Sequence, residues 1–414
     1  MGRAMAGHDG QDAAHPTDAQ AASCDVTIVA HDIGAVGGME HALAELILGL
    51  RRRGDRVTVI ARTCDLPPDA GVEFHRVRGP SRPVLLAYPW FMLAGSLAVR
   101  RWRRGVVQTT GAIVLNRVDV IAVHFCQQAG RVTPSRSSAV FRAHSFLVRR
   151  LVRLAERLSF SANRPATFVG VSEGVADEVR SHYPRVARRV ISIPNGVDTE
   201  VFAPGIRQDE ARALRRKLGV GDGRLVAAFV GSEWERKGLE ALLRALPLAS
   251  DWDAVVAGGG DRKRYEELAD SLGVADRVHW LGVSRDVQLV YELADALVFP
   301  SSYEAFSLVT LEAAASGLPI LATPVNGIRE LIADGESGFV ISQDPSVIAG
   351  RLNRLASDPD LRGRMGRAAR ASALGFSWEA MVAKHHALYL RLSSESGSEP
   401  RAPVLRPRAL EGRH

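Results

Sequence analysis

Lysine is scarce in this chain. Lys217, Lys237, Lys263 and Lys384 are the only four in 414 residues, and the other basic side chains are arginines. A lysine inside a motif therefore stands out. Cysteine is scarcer still. Cys24, Cys64 and Cys126 have neither paired nor metal-ligand spacing. That argues against a disulfide framework or a cysteine-bound metal and fits reduced thiols in a cytosolic protein. No basic start followed by an apolar run opens the sequence, so a secretory signal is not expected. The longest apolar run, 84–99, has 16 residues and contains Pro89. It falls short of the roughly 20 residues that span a bilayer, so no transmembrane helix is expected.

The length exceeds one ordinary core and implies two domains. Charged residues make up 24% and hydrophobic residues 46%, the proportions of a soluble globular protein. A net charge of +7 favours anionic ligands or an anionic surface. Residues 1–23 are rich in Ala, Asp, Gly, Gln and His and read as a disordered leader, and 393–414 as a flexible tail.

Near-continuous apolar runs alternate with helical patterns. In the first half they are 26–30, 57–61, 118–123, 168–171 and 190–193. In the second they are 225–230, 254–257, 278–281, 296–299 and 320–322. Such runs are parallel strands buried on both faces. Helical periodicity falls between them, as at 39–53, 238–245 and 262–272. Two sets of β-α repeats predict two Rossmann-like domains. The turn Pro194-Asn195-Gly196-Val197-Asp198 is the expected seam. Ligands of such sheets bind at the C-terminal ends of the strands.

One stretch carries most of the chemistry. An apolar strand ends at Phe299, a polar loop carries Glu304, and a helix starts near Ser307 and carries Glu312. Gly317 closes that helix, and Pro319 opens the next strand. The two acids straddle a helix N-terminus, where free N–H groups and the dipole attract an anion. A ligand with a central diphosphate and hydroxyls at both ends suits this arrangement, and a nucleotide sugar is such a ligand.

Over 26–392 the chain resembles glycosyltransferase family 4, retaining enzymes of the GT-B fold, through this Glu-x7-Glu spacing. Ala305 and Ser307 stand where the family usually has glycine. The resemblance implies an α/β GT-B architecture, two Rossmann-like domains whose parallel sheets face each other across a cleft. It implies an acceptor domain over 24–194 and a donor domain over 195–375. A helix over 376–392 would cross back to the first domain. It also implies that Glu304 holds sugar hydroxyls and Glu312 ribose hydroxyls, with N–H groups of Phe306, Ser307, Leu308 and Val309 capping phosphate.

Further motifs fit this frame. In Gly231-Ser232-Glu233-Trp234-Glu235-Arg236-Lys237-Gly238 two cations sit side by side, a planar fork and a mobile point charge for phosphate oxygens. The family usually has Arg after the first glycine. Here Ser232 holds that place and Arg236 is expected to supply the charge, as in a subset that includes lipopolysaccharide-core glucosyltransferases. Gly37 and Gly38, between the first strand and first helix, allow close backbone approach to a ligand. They resemble the family's donor-phosphate loop. They lack the Gly-x-Gly-x-x-Gly order of a dinucleotide-binding oxidoreductase. His124, at a strand's C-terminal end, is either a satisfied core histidine or, by resemblance, a residue at the reaction centre. Ser172 suits an N-cap and equally a ligand contact. The resemblance also places Gly259 near the donor and Val283 where backbone atoms hold the base, so the side chains do not reveal which base.

Asp251-Trp252-Asp253 and Asp358-Pro359-Asp360 match a metal-binding Asp-x-Asp pattern, but no further ligand completes either. No metal and no cofactor are expected. The basic amphipathic stretch 146–158 is a core-packed helix with a solvated basic face, or contacts an anionic membrane surface. The expected enzyme moves a hexose from a nucleoside-diphosphate sugar, UDP-sugar ahead of GDP-mannose, to a glycan, lipid-linked or small-molecule acceptor. No nucleic-acid partner is expected. The expected place is the cytoplasm, with peripheral contact at the inner membrane face left open. The alternatives are a GT-B epimerase or phosphorylase, or a non-catalytic sugar-nucleotide-binding subunit.

Overall fold

A computed structural model describes residues 23–34, 37–129, 139–163, 165–284 and 286–395. Nearly all of the expected leader, and the tail beyond 395, lie outside the described residues.

The first part of the chain runs β1 (Asp25–Val29), β2 (Asp32–Ile33), α1 (Gly38–Arg52), β3 (Arg56–Ala61), β4 (Thr63–Cys64) and β5 (Glu73–Arg76). It continues through α2 (Val84–Trp102), β6 (Val106–Thr110), β7 (Val120–Val123), α3 (Ala139–Ala162), β8 (Thr167–Gly170), α4 (Glu173–His182) and β9 (Val190–Ser192). The second part runs α5 (Gln208–Leu218), β10 (Leu225–Val230), α6 (Trp234–Lys237), α7 (Leu239–Ala245), β11 (Trp252–Ala257), α8 (Arg262–Ser271), β12 (Val278–Gly282), α9 (Val287–Leu293) and β13 (Ala296–Phe299). Then follow α10 (Leu308–Ala315), β14 (Ile320–Ala322), α11 (Ile328–Leu331), β15 (Gly338–Val340), α12 (Pro345–Ser357), α13 (Pro359–Ala373) and α14 (Trp378–Glu395).

Two large parallel sheets result. The first has the order β5-β3-β1-β6-β7-β8-β9, the second β12-β11-β10-β13-β14-β15. In most parallel pairs a helix carries the chain back across a face, which buries both faces of the central strands, while β3 to β5 and β6 to β7 return without a helix. β11 is buried at every position, and β10 at all but its first. Each sheet reverses its winding direction once, between β1 and β6 in the first and between β10 and β13 in the second. Loops leaving the C-terminal ends of strands diverge at such a point and leave a crevice.

α14 joins the two parts. It lies along α1, where Gly49 lets Val382 approach. A Cβ on Gly49 would sit 2.4 Å from Val382 Cγ2. At its far end the His386 ring meets buried Asp55 at 2.7 Å, and Tyr389 donates to Gln108 at 2.7 Å. The chain thus passes between the parts twice, at Gly196–Val197 and at Ser377, and these crossings touch: Val197 N–H donates to Phe376 O at 2.8 Å.

Two details differ from the sequence expectation. Arg236 and Lys237 sit inside a one-turn helix of their own, α6, rather than ahead of one, because Gly238 at φ 80° separates it from α7. Asp253 lies within β11 rather than before it, bonded to Arg224 and His279. Asp358 is spent as the N-cap of α13, accepting from Leu361 N–H at 2.8 Å.

Candidate functional site

The loops leaving β10 and β13, neighbours at the reversal point of the second sheet, carry the central cluster. After β10 the backbone turns through Gly231 at φ 131°. A Cβ there would lie 2.8 Å from Lys237 Cδ, so glycine lets the lysine fold back over the strand end. Glu233 caps α6 at φ 57°, the only positive φ among described non-glycine residues. Such a conformation costs energy and collects at functional sites.

Folding back puts Lys237 Nζ over the Phe299 ring at 4.6 Å and 3.5 Å from Glu304 Oε1. Arg236 Nη1 donates to the same oxygen at 2.8 Å, and Ser301 Oγ donates to it at 2.9 Å. Arg236 also forks onto Glu233 Oε2. Burial pulls the Lys237 ammonium below its usual range, opposed by the nearby Glu304 charge. Among the described residues Glu304 Oε2 accepts no hydrogen bond, so one oxygen is held by the chain and the other is uncommitted.

Ser307 caps α10 through a bond from Thr310 N–H at 3.3 Å. Phe306 is buried before it, and Leu308 and Val309 open the helix. Glu312, one turn in, accepts from Tyr291 Oη at 2.9 Å through Oε2. Its Oε1 has no partner among the described residues. Glu312 keeps some solvent contact but is ringed by protein, and burial pushes its carboxyl up to about 7 despite Tyr291 and Lys237.

The first part of the chain reaches this cluster at several points. A Cβ on Gly38 would lie 3.6 Å from Leu308 Cδ1, so the glycine pair abuts the start of α10. Gly37 is exposed at φ 96°. Of the two roles considered for Ser172, the structure shows the cap, and it adds a contact that was not considered. It caps α4 by accepting from Val175 N–H, and it donates to Ala305 O at 2.7 Å. Glu178 on α4 meets Asn326 Nδ2 at 2.8 Å and Tyr303 Oη at 3.3 Å.

His124 stands at the end of β7, and its neighbour Phe125 packs edge-on to Tyr303 at 5.0 Å. The His124 Nδ1 atom is buried without a partner among the described residues. It borders a small cavity shared with Gln108, Asn195 and His385. Burial, with His385 alongside, lowers its pKa to about 4, so the ring is neutral near pH 7. Gly259 and Val283 come together at the other side, where a Cβ on Gly259 would lie 3.4 Å from Val283 Cγ2.

Sequence reasoning missed Tyr291, which holds Glu312, and the Glu178–Tyr303–Asn326 contact. Tyr303, and Ser301 which bonds Glu304, lie in the polar loop between Phe299 and Ser307, so their place in the chain was the one available signal.

Residues 36–201 match Glycosyltransferase Family 4, and residues 210–372 match Glycosyl transferases group 1. The chain is 31% identical over 391 residues to a D-inositol 3-phosphate glycosyltransferase of Thermomonospora curvata, covering 84% of this chain and 89% of that one. Among solved structures it is similar to WaaG, a glycosyltransferase involved in lipopolysaccharide biosynthesis. The TM-score is 0.73 at 22% identity, over 88% of this chain and 99% of WaaG. It is also similar to Anabaena HepE in complex with UDP-glucose, with TM-score 0.66 at 20% identity, over 90% of this chain and all of that one. This chain belongs to glycosyltransferase family 4 and has the GT-B fold.

Proposed function

We propose that the chain transfers a hexose, with retention at the anomeric carbon, from a nucleoside-diphosphate sugar to a hydroxyl of an acceptor held by its first part. The carrying observation is the convergence of Arg236, Lys237 and Glu304 beside the N-terminus of α10. Two cations and free helix N–H groups form a diphosphate cradle. The uncommitted oxygen of Glu304 faces the role of sugar-hydroxyl acceptor, and that of Glu312 the role of ribose acceptor. UDP-sugar is favoured over GDP-mannose, and the similar HepE structure with UDP-glucose supports that preference.

No side chain stands out as a nucleophile opposite the leaving group, so the reading is front-face attack. The bond from the anomeric carbon to the diphosphate oxygen breaks, and a bond to the acceptor oxygen forms on the same face. The acceptor proton passes to the departing diphosphate. Arg236 and Lys237 stabilise the growing negative charge, so the reading needs no metal. His124, neutral and at the cleft end of β7, assists in holding the donor sugar. Closure of the two parts would exclude water that otherwise hydrolyses the donor.

A thermal-shift panel with UDP, GDP, ADP and NAD, with and without EDTA, tests the donor. A ligand that binds only the folded state raises the melting temperature. The expected result is a shift with UDP that survives EDTA. A shift with NAD alone, or none with any nucleoside diphosphate, would overturn the reading.

A further inference from the structure

The large exposed apolar side chains of the described residues concentrate between Phe74 and Leu158 of the first part, and α2 holds half of those. Its inner face, with Ala87, Phe91 and Val99, is buried. Its outer face is apolar as well. Leu86, Trp90, Leu93 and Leu97, spaced at helical periodicity, are each between 50% and 65% exposed. A helix that is apolar all round is normally enclosed, and an apolar patch left in water marks an interaction site. α3 packs beside α2 and exposes Leu147, Leu154 and Leu158 between arginines.

Charge identifies the occupant. Between Phe74 and Val118 the sequence has eight arginines and no acid, and the next acids are Asp119 and then Glu156. Neither offers a free surface charge. Asp119 accepts from Val107 N–H, and Glu156 is buried, holding Gln127 N–H and Tyr183 Oη. The exposed acid at the edge of this face, Glu73, is spent on Arg104 at 3.4 Å and His75 at 2.9 Å. An apolar face flanked by arginines in such excess is complementary to a surface that is apolar inside and anionic at its rim.

The patch also adjoins the cleft. His31, in the loop after β1, packs its ring 4.4 Å from Phe91 and 5.9 Å from Tyr88 on α2. Tyr88 donates to Ala112 O, and exposed Leu115 donates its N–H to Ser96 Oγ, both in the loop leaving β6.

We propose that the outer face of α2, flanked by the arginines of α3, docks this enzyme on an anionic lipid bilayer and sets the cleft mouth at the lipid surface. The proposal is independent of the donor assignment. Its test is sedimentation of the full chain with vesicles of equal parts phosphatidylglycerol and phosphatidylcholine, and with phosphatidylcholine alone. The variant Leu93→Glu/Leu97→Glu is compared with Leu374→Glu, an exposed leucine of the second part. Unchanged melting curves and an unchanged thermal shift with UDP confirm folding. The expected result is salt-sensitive binding to anionic vesicles only, reduced roughly tenfold or more in the double variant and retained in Leu374→Glu. Absence of binding, binding unaffected by the double variant, or equal loss in both variants would overturn it. So would a lipid-free dimer that the double variant dissociates, since a second copy would then be the occupant.

Discussion

The Ser172 hydroxyl donates to the Ala305 carbonyl at 2.7 Å, joining the N-cap of α4 in the first part to the residue next to Glu304 in the second. A single fully buried serine thus performs a local capping task and a long-range one, 133 residues apart.

Ser172→Ala removes both bonds. Loss of an N-cap costs about 1 kcal/mol, so the melting temperature should fall. The transfer rate should fall severalfold, because displacing Glu304 slightly disturbs alignment. UDP affinity, set within the second part, should change little. Steady-state kinetics beside a calorimetric UDP titration separate the two effects, and a loss confined to UDP affinity would contradict this.

Glu304→Gln keeps the side-chain size and removes the charge that Arg236 and Lys237 share. Diphosphate binding should be unchanged or tighter, since a negative neighbour is gone. The rate should fall by about a hundredfold or more if this group positions the sugar at the reacting carbon. A variant that loses UDP affinity but keeps its rate would exchange the roles of Glu304 and Glu312.

Glu312 gives a pH dependence with a defined sign. Its carboxyl is raised by burial from 4.5 to about 7 in the ligand-free protein. Between those values the folded state holds a proton that the unfolded chain has released. This group's contribution to stability therefore declines as pH rises from about 4.5 through 7. Ribose hydroxyls donating to the carboxylate would lower the pKa, so UDP-glucose should bind more tightly as pH rises from 6 to 8, with proton release. UDP-glucose is the suitable ligand because its diphosphate has no ionisation in that range. Calorimetry in two buffers of different ionisation enthalpy measures the proton, and Glu312→Gln should abolish it.

Three histidines act in the opposite sense. Burial lowers His31, His124 and His385 each from 6.5 to about 4. The unfolded chain binds protons there first, so the stability they confer is lost as pH falls from about 6.5 towards 4. The melting temperature should drop across that window, and His385→Leu should flatten the slope. An unchanged slope would mean that His385 is not held neutral.

Most of the fold was legible because strands such as 57–61 and 225–230 are continuous apolar runs, which few other environments require. Of the strands missed, β2 and β4 have two residues each, β15 is a three-residue apolar stretch that opens on Gly338, and β5 and β6 lack the signature. β5 is a largely exposed edge with Glu73 and Arg76. β6 is buried but ends in Gln108, Thr109 and Thr110, polar residues that bond within the interior. The acids and cations of the site were readable from their place at strand ends. Glu178, Tyr303 and Asn326 were not, since a contact across 148 residues leaves no local pattern. The outer face of α2 was read only as too short to span a membrane. Its exposure depends on which side the sheet covers.

Calorimetric titration of UDP into the wild-type chain and Lys237→Ala, both in EDTA, tests the diphosphate cradle most directly. Lys237 is nearly buried, with its ammonium between the Phe299 ring and Glu304. Its removal should weaken UDP binding about tenfold or more, the equivalent of one charged hydrogen bond of roughly 1.5 kcal/mol or more. Equal affinity in the two proteins would show that the diphosphate lies elsewhere.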